Sequence, residues 1–312
     1  MSAILEQDVV AFETHRRALT GFAYRMLGSR AEAEDVVQDA YLRWHTADHA
    51  AINEPRRYLG TVVTRLCLDI MKSAKARRET YVGQWLPQPL VDESFGDDTA
   101  GDLAHVISIA LMLVLERLSP LERAHFHRVD AGAGTPLATR ARKLPATRRV
   151  RCRLRRSEPH ALGRGEAACR QLAARAREHI EAGQPRFAAS REDGYRLAAA
   201  FHRAAASGDL QALRQILAED VVLYTDGGGK RAADLNPIYG ADKVLRFLAG
   251  VARKGASFNT MQVRAATTNS LAGLVLREED GSIDTMTFEH SNGCIVAIYV
   301  TRNPDKLRYV RF

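Results

Sequence analysis

The sequence lacks the features that would identify a membrane, secreted or metal-binding protein. No run in its 312 residues approaches the roughly 20 consecutive apolar residues that a membrane-spanning helix needs. The N-terminus has no basic leader followed by an apolar stretch, so we expect no signal peptide and a cytoplasmic location. The four cysteines are scattered without a CxxC pair, a pattern that predicts free thiols and neither a metal nor another cofactor.

Positive charge is concentrated in one segment of the chain. The net charge is +8, but residues 131–165 contain nine Arg and one Lys against a single acid, Glu158, and therefore carry +9. The rest of the chain is close to neutral. This distribution is weak evidence for nucleic-acid binding, because one unusual stretch accounts for the high isoelectric point.

Residues 8–80 are predicted to form a compact helical bundle. Gly28 ends the first helix, Ser29-Arg30-Ala31-Glu32 has the form of a capping box for the second, and Pro55 suits the first turn of the third. Apolar residues recur at helical spacing throughout. The predicted inward positions are Phe12, Leu19, Phe22, Ala23 and Met26; Ala33, Val36, Val37, Ala40, Tyr41 and Trp44; and Leu59, Val62, Val63, Leu66 and Ile70.

The middle of the chain alternates between irregular and helical patterns. Residues 81–102 contain prolines and an acidic, Gly-containing run typical of a linker, although Trp85 and Leu86 before Pro87 indicate that it docks on a surface. Residues 103–118 and 166–182 have helical periodicity. Between them, residues 127–165 are rich in Arg, Pro and Gly and have no helical period.

The C-terminal third, residues 191–312, has the pattern of an α+β domain with an antiparallel sheet. A Gly-rich turn, Gly227–Lys230, interrupts the pattern, and Asn292-Gly293 predicts a hairpin. The predicted helices are Tyr195–Ala206, Leu210–Ala218 and Ala241–Val251, and the predicted β-runs are Val221–Thr225, Asn259–Ala266, Leu271–Glu278 and Ile283–Thr301.

Several blocks of sequence carry a family resemblance. The longest are FAYRMLGSRAEAEDVVQDAYLRWHT and PRRYLGTVVTRLCLDIMKSAKARRETYVGQWLPQPLVDE; further blocks are SPLERAHF, EAACRQLAARAREHI, DGGGK and RNPDKL. Together they resemble the extracytoplasmic-function (ECF) sigma factors, in the SigJ-like subgroup with a C-terminal SnoaL-like domain. The resemblance implies a mainly α N-terminal two-thirds, with a sigma region 2 bundle (8–80), a linker (81–102) and a region 4 helix-turn-helix (103–183). An α+β SnoaL/NTF2-like cone (191–312) follows.

The resemblance also implies a function. A sigma factor is not an enzyme; it binds core RNA polymerase and promoter DNA and directs transcription initiation. The polymerase-binding candidates are Glu32, Asp35, Gln38 and Asp39, for which an ordinary solvated face is the alternative. The candidates for −10 DNA are Arg56, Arg57, Arg65, Lys72, Lys75, Arg77 and Arg78. The candidates for −35 DNA are Glu166, Cys169, Arg170, Arg175 and Arg177.

One segment departs from the family pattern. Residues 127–165 lie where the family has a short helix that supports the −35 recognition helix. Such an Arg-, Pro- and Gly-rich run is consistent with a genuine insertion or with GC-rich coding sequence read in a shifted frame, and the sequence leaves both open. The resemblance implies that region 2 reads the −10 element and region 4 the −35 element; the alternative is a sigma factor with impaired −35 recognition, because this segment stands in place of the supporting helix. An exposed +9 segment would in either case bind DNA nonspecifically.

In this subgroup the C-terminal domain is a fused regulator of the sigma factor. The candidate regulatory residues are Trp85, Pro87, Asp226, Lys230, Asn303 and Asp305. The Gly-rich turn has no P-loop spacing, so tight-turn geometry explains its glycines better than phosphate binding. The alternative is a small-molecule-binding or isomerase-like domain with a ligand in its pocket and a helical docking module. Its proton-transfer candidates would be Asp226, His290, Tyr224 and Glu289.

Overall fold

The structure, a computed structural model, describes residues 2–78, 81–92, 109–116, 120–121, 123–124, 190–253 and 262–312. These residues form two compact units. The first contains the N-terminal helices and almost all of the helix Ile109–Glu116; the second contains residues 81–92 and the C-terminal domain. Within the described part of the chain, no helix is long and apolar enough to span a membrane.

Helices α1 (Ser2–Leu27), α2 (Arg30–His45) and α3 (Pro55–Arg78) form the N-terminal bundle. Gly28 ends α1 with a positive φ of 71°, a conformation that glycine adopts without steric cost. The Ser29 hydroxyl then caps α2 by accepting a hydrogen bond from the Glu32 amide at 3.3 Å. These helix boundaries and the cap agree with the sequence prediction.

The bundle core also follows the predicted periodicity, with two differences: Tyr41 on α2 and Ile70 on α3 are half-buried where burial was predicted. Trp44 is buried, and its indole packs against the rings of His49 and Tyr58. On α3, Cys67 and Met71 are buried whereas Ile70 is only half-buried. Toward the end of α3, the buried positions are therefore shifted by about one residue from the predicted ones. Contacts with α1 and α2, and not spacing alone, select the inward face.

Beyond α3 in this unit, the structure describes helix α4 (Ile109–Glu116). Met112 and Leu115 on α4 are buried. The predicted helix at 166–182 and the atypical segment 127–165 lie outside the described residues.

In the described part of the C-terminal unit, three helices pack on a mixed sheet. The helices are α5 (Arg191–Ser207), α6 (Leu210–Ile216) and α7 (Ala241–Arg253). The strands are β1 (Val91–Asp92), β2 (Leu217–Asp226), β3 (Ile238–Tyr239), β4 (Gln262–Thr268), β5 (Leu271–Arg277), β6 (Ile283–Ser291) and β7 (Cys294–Thr301). Their order in the sheet is β1-β4-β5-β6-β7-β2-β3.

The sheet corrects two expectations. It is not wholly antiparallel, because β2 pairs in parallel with β7, and the long excursion through α7 and β4–β6 supplies the crossover that a parallel pair requires. Residues 217 and 218 begin β2, so the helix that was predicted to end at Ala218 ends at Ile216. The two-residue strands β1 and β3 were not predicted, because they are too short to show alternation.

Apolar side chains fill the space between the helices and one face of the sheet. Phe201 on α5 packs against Phe288 on β6 with ring centroids 5.0 Å apart, and both are fully buried. Successive strand residues face opposite sides, so Met286 and Phe288 join this core whereas Thr287 and Glu289 lie on the other face. The linker residues and the end of the chain pack against that second face: Val91, Val275 and Leu307 belong to one cluster.

Candidate functional site

The described basic side chains of α3 form an exposed surface. Arg56, Arg57 and Arg65 are exposed, and Lys72 is exposed beside Asp69 at 2.9 Å. The candidate residues Lys75, Arg77 and Arg78 lie on the last turns of α3, where the structure describes the backbone and not the side chains. The arrangement can contact phosphates along the helix, since the cationic groups are accessible to solvent.

A groove of about 690 Å³ lies where the end of α2, the turn at His49–Ala51 and the start of α3 meet. The residues that line it are Arg43, Ala51, Ile52, Asn53, Glu54, Arg57, Tyr58, Thr61, Val62 and Arg65. Arginines outnumber the single acid, so the groove is electropositive. The connecting turn is held in place because His49 Nε2 donates to the Trp44 carbonyl at 2.7 Å.

Tyr58 is the aromatic residue of this groove, and it is not among the site residues predicted from the sequence. Trp44 and Tyr41 were interpreted as core residues. Trp44 is buried, and its ring packs against the ring of Tyr58 with the two centroids 5.9 Å apart. Tyr41 is half-buried and contacts Phe12 edge to face. Its position in the sequence, one turn after Pro55 and next to Arg57, was the feature that indicated a place beside the basic residues of α3.

The acidic stripe of α2 lies on the solvent side of the helix. Asp35, Gln38 and Asp39 are exposed, and Glu32 in the first turn is half-buried. Leu42 continues the same helical face, one turn beyond Gln38 and Asp39, and it is 56% exposed. Leu42 thus adds an exposed apolar side chain at the end of the acidic stripe.

In the C-terminal unit, Asp226 is the buried centre of a network that binds the linker. Its carboxylate is fully buried and accepts hydrogen bonds from Tyr81 Oη at 2.5 Å and the Leu86 amide at 2.8 Å. The Gly228 amide donates to it at 3.0 Å, and Lys306 Nζ at 2.7 Å. A buried carboxylate requires this degree of pairing, because desolvation is otherwise costly.

Lys306 connects the carboxylate to the aromatic residues of the linker. Its ammonium lies 4.9 Å from the ring centroid of Tyr81 and 4.5 Å from that of Trp85. It also donates to the Leu86 carbonyl at 2.6 Å. Burial and the neighbouring Asp226 raise the pKa of Tyr81 well above its usual range, so the phenol stays protonated and can donate.

The other end of the linker is attached at the β4 edge of the sheet, away from β2. The Leu90 amide donates to Asn269 Oδ1 at 3.0 Å, and the Asn269 amide donates to the Leu90 carbonyl at 3.0 Å. Val91 then pairs with Thr268, which adds β1 to the edge of the sheet beside β4. Leu86 and Pro87 between these attachments are buried. Residues 81–92 therefore belong structurally to the C-terminal unit.

The candidate regulatory residues fall into two groups. Asp226, Trp85 and Asn303 contact the linker network directly, and Asn303 Nδ2 donates to Tyr81 Oη at 2.9 Å. Lys230 and Asp305 instead form an exposed ion pair at 2.6 Å. Tyr81 and Lys306 were missed, although Lys306 lies within the RNPDKL block. The Gly-rich turn is a tight turn as interpreted, with positive φ values of 60° and 71° at its second and third glycines.

A second charged cluster supports the same turn. Arg231 and Arg302 both donate to the carboxylate of Glu278, at 2.7 and 2.6 Å, and Arg302 also contacts Asp284 at 2.8 Å. Burial raises the pKa of Asp284 to about 6, against the opposing effect of Arg302. Glu278 beside it raises that pKa further. The cluster joins the loop after β2 to the hairpin between β5 and β6.

Comparison with known proteins identifies the family. The Sigma-70 region 2 family matches residues 11–77. The ECF RNA polymerase sigma factor SigJ of Mycobacterium tuberculosis is 39% identical over 254 residues, which cover 79% of this chain and 74% of SigJ. This chain belongs to the ECF sigma factor family. The probable ECF sigma factor SigI of the same organism is 33% identical over 219 residues, 66% of each chain.

A solved structure extends the likeness of this sigma factor to the whole fold. The crystal structure of M. tuberculosis SigJ superimposes with a TM-score of 0.70 at 32% identity, covering 96% of this chain and 98% of SigJ. The helical N-terminal part and the C-terminal α+β domain implied by the resemblance are thereby confirmed. Membership of the family makes the chain a transcription initiation factor that binds core RNA polymerase and promoter DNA, and not an enzyme.

The proton-transfer candidates of the C-terminal domain lie on both faces of the sheet in this sigma factor. Glu289 accepts a hydrogen bond from Tyr299 at 2.8 Å on one face of the sheet, where Tyr224 stacks on Tyr299. His290 lies on the other face, so close to α5 that a methyl group on Gly194 would lie 2.8 Å from its Nε2. Asp226 is occupied by the linker. Among the described residues, no group of His, Cys, Asp and Glu could hold a metal ion.

The remaining candidates cannot be placed. Those for −35 recognition, Glu166, Cys169, Arg170, Arg175 and Arg177, lie outside the described residues.

Proposed function

We propose that this sigma factor docks on core RNA polymerase through the acidic stripe of α2, captures the melted −10 element at the groove beside α3, and is regulated by linker docking on its C-terminal domain. The observation that carries the proposal is the groove itself. It combines exposed arginines with an aromatic ring at the junction of two helices, within the part of the chain that matches sigma region 2.

Binding of a melted DNA strand requires two kinds of contact. Cationic side chains follow the phosphates, and an aromatic surface or pocket receives an unstacked base. Arg57 and Arg65 line the groove together with Tyr58, and Arg56 and Lys72 extend the basic surface along α3. A volume of about 690 Å³ is large enough for a nucleobase, and its opening to solvent allows the strand to enter laterally. Lys75, Arg77 and Arg78 extend the proposal to the end of α3.

Docking on polymerase is assigned to the acidic stripe of α2, whose charge is opposite to that of the groove. Asp35, Gln38 and Asp39 present carboxylates and an amide to solvent, and a basic helical surface of the polymerase is their complement. Glu32 begins this stripe. Leu42 supplies the apolar contact at its end, because an exposed leucine gains more from burial than the charged residues around it.

Regulation is assigned to the linker network. The linker connects the predicted region 2 (8–80) to the predicted region 4 (103–183), so its docking on the C-terminal domain (191–312) restricts how far the two modules can separate. Asp226, Lys306 and Tyr81 hold one end of the linker and Asn269 the other. Trp85, Pro87 and Asn303 complete the docked surface, whereas Lys230 and Asp305 support the turn beside it.

The −35 element is assigned to residues 166–177 on the resemblance alone. Glu166, Cys169 and Arg170 would contact bases from the first turns of a recognition helix, with Arg175 and Arg177 near phosphates. For the C-terminal domain, the linker network supports a regulatory role, and the small-ligand alternative stays a prediction.

Reconstituted transcription tests the proposal. Full-length chain and core polymerase are combined on a library of promoter fragments, and complex formation is measured separately by size exclusion. We expect a stoichiometric complex and promoter-dependent run-off transcripts. The absence of both a complex and a promoter-dependent transcript would refute the assignment, whereas a complex without a transcript would refute only the DNA-reading part.

A further inference from the structure

Residues 307–312, with the sequence LRYVRF, form a turn on the second face of the C-terminal sheet. Leu307 and Val310 point inward, because both are buried and pack in one cluster with Ala266 and Val275. The Val310 amide donates to the Leu307 carbonyl at 3.0 Å, which fixes the spacing of these two anchors. The residues that flank the anchors face solvent.

Each of the two arginines of this turn is followed by an aromatic or apolar ring that also faces solvent. Arg308 and Arg311 are exposed, and the residues that follow them, Tyr309 and Phe312, are 47% and 42% exposed. A guanidinium is planar and weakly hydrated, so it binds phosphates and also stacks on flat rings. The turn therefore presents cationic and stacking groups side by side.

Two arginines of the sheet extend the basic surface. Arg264 on β4 donates from Nη2 to the Arg311 carbonyl at 2.7 Å, which joins the strand to the turn. Arg277 at the end of β5 is exposed and is paired in the sheet with Ile283, which packs against the cluster that contains Val310. Strand alternation places both sheet arginines on this same face. We name the whole set the arginine–aromatic surface: Arg264, Arg277, Arg308, Tyr309, Arg311 and Phe312.

The positive charge of the arginine–aromatic surface is not neutralised within the described part of the chain, where no carboxylate forms an ion pair with its four arginines. The acids closest along the chain are mostly occupied. Asp280 lies 3.5 Å from Arg231. Asp305 lies 2.6 Å from Lys230. Glu279 is exposed in the hairpin after β5, so four cations face one acid there.

This combination of groups fits a single-stranded nucleic acid. Cationic side chains follow its phosphates, and aromatic rings stack on its bases, which have no partner strand. An acidic protein surface would be matched by the arginines alone. A duplex would also use only the arginines, because its bases are already stacked on one another. The two exposed rings therefore favour the single strand.

We propose that the arginine–aromatic surface of the C-terminal domain binds a single-stranded nucleic acid without sequence preference, with its phosphates on the arginines and bases stacked on Tyr309 and Phe312. The contact goes beyond the proposed function, in which the C-terminal domain only regulates the sigma factor, and it does not depend on the groove beside α3. Melted promoter DNA and the RNA transcript both have this chemistry.

Photocrosslinking on the full chain tests where the strand lies. Benzoylphenylalanine replaces Tyr309, and the protein is irradiated with fluorescent single strands of mixed sequence, either DNA or RNA, or with the corresponding DNA duplex. The control carries the same label in place of Tyr239, which is 59% exposed on β3 at the other edge of the sheet. We expect a crosslink to single strands from position 309 and little from position 239. The stronger of the DNA and RNA crosslinks identifies the source of the strand.

A salt titration of single-strand binding tests the arginines. Arg308→Gln with Arg311→Gln should reduce the slope of log affinity against log salt concentration by about 1.4, at about 0.7 for each lost phosphate contact. The matched control removes two exposed arginines of the helices, Arg203→Gln with Arg253→Gln, and should leave the slope unchanged. Phe312→Leu should weaken binding by about fivefold or more at constant salt, the effect of losing one stacked base, without changing the slope.

Three outcomes would overturn the proposal. The first is equal crosslinking from positions 309 and 239, or equal slopes for the two double variants. The second is crosslinking to the duplex as strong as to the single strand. The third is a crosslink from position 309 to a polymerase subunit in the holoenzyme with none to nucleic acid, which would assign the surface to a protein partner. None of these outcomes affects the proposed function, which is judged separately by complex formation and run-off transcription with the natural chain.

Discussion

The ammonium of Lys306 lies 2.7 Å from the carboxylate of Asp226, and both groups are withdrawn from solvent beneath the linker. The side chain of Lys306 is 13% exposed and that of Asp226 is fully buried. The same ammonium faces the rings of Tyr81 and Trp85. One cation thus joins the last residues of β2, the end of the chain and the segment that leaves the N-terminal bundle.

Lys306→Met should release the linker. The substitution leaves a buried carboxylate without its cation, which costs about 3–5 kcal/mol. Amide exchange of residues 81–92 should accelerate by at least tenfold, and run-off transcription should rise because the two DNA-reading modules are less restrained. Lys230→Met is the matched control, since Lys230 forms an exposed pair with Asp305. Equal effects of the two substitutions would contradict the role of the buried pair.

Arg57→Ala and Arg65→Ala should weaken promoter binding through loss of phosphate contacts. Each lost contact with single-stranded DNA should reduce the slope of log affinity against log salt concentration by about 0.7. The measurement is a salt titration of holoenzyme binding to a fluorescent promoter with a pre-melted −10 element. Arg196→Ala, an exposed arginine of the C-terminal domain, is the control and should leave the slope unchanged. Unchanged slopes for both α3 variants would remove the groove from the DNA interface.

Asp39→Lys should reduce affinity for core polymerase by about tenfold or more, because a like charge would then face the basic partner surface. The loss should shrink at high salt, since exposed charges are screened. Glu34→Lys is the control on the same helix, since Glu34 is paired with Arg30 and lies roughly 140° around the helix from Asp39. Binding is measured by interferometry on immobilised core polymerase. A larger loss with Glu34→Lys would place the interface on another face of α2.

Asp284→Asn should change how stability depends on pH. The pKa of Asp284 is raised to about 6 in the folded chain, so between about pH 4 and pH 6 the folded state binds more protons than the unfolded state. Stability from this group is therefore present at low pH and is lost as the pH rises through 6. Thermal unfolding between about pH 4 and pH 7 should show this loss in the natural chain and not in the variant. Parallel profiles would exclude Asp284 as the titrating group.

Gly228→Ala should destabilise the turn after β2. Gly228 has a φ of 60°, which costs other residues roughly 1–2 kcal/mol, and an added methyl group would also collide with the Asn303 side chain. Gly281→Ala is a matched control, because Gly281 has a φ of 80° but no atoms within 4 Å of the added methyl group. Scanning calorimetry should show a larger loss for Gly228→Ala. Equal losses would mean that only backbone strain matters at this turn.

The amino-acid sequence by itself determined the local structure and the family. Ser29, Gly28 and Pro55 set helix boundaries through capping, positive φ and a fixed φ, which act within a few residues. The strands from β4 to β7 followed from β-rich runs and from the Asn292-Gly293 turn. The ECF sigma resemblance came from continuous blocks, so it did not depend on how the chain packs.

Only the tertiary structure decided which distant residues meet. Tyr81 and Asp226 are 145 residues apart, and no periodicity links them. The parallel pairing of β2 with β7, the linker strand β1 and the role of Lys306 depend in the same way on chain topology. Arg123 is another case: by sequence it is one arginine among many, and only the fold buries it against the carbonyls of Met26 and Leu115. Local patterns record propensity, whereas long-range contacts depend on the whole fold's packing and desolvation.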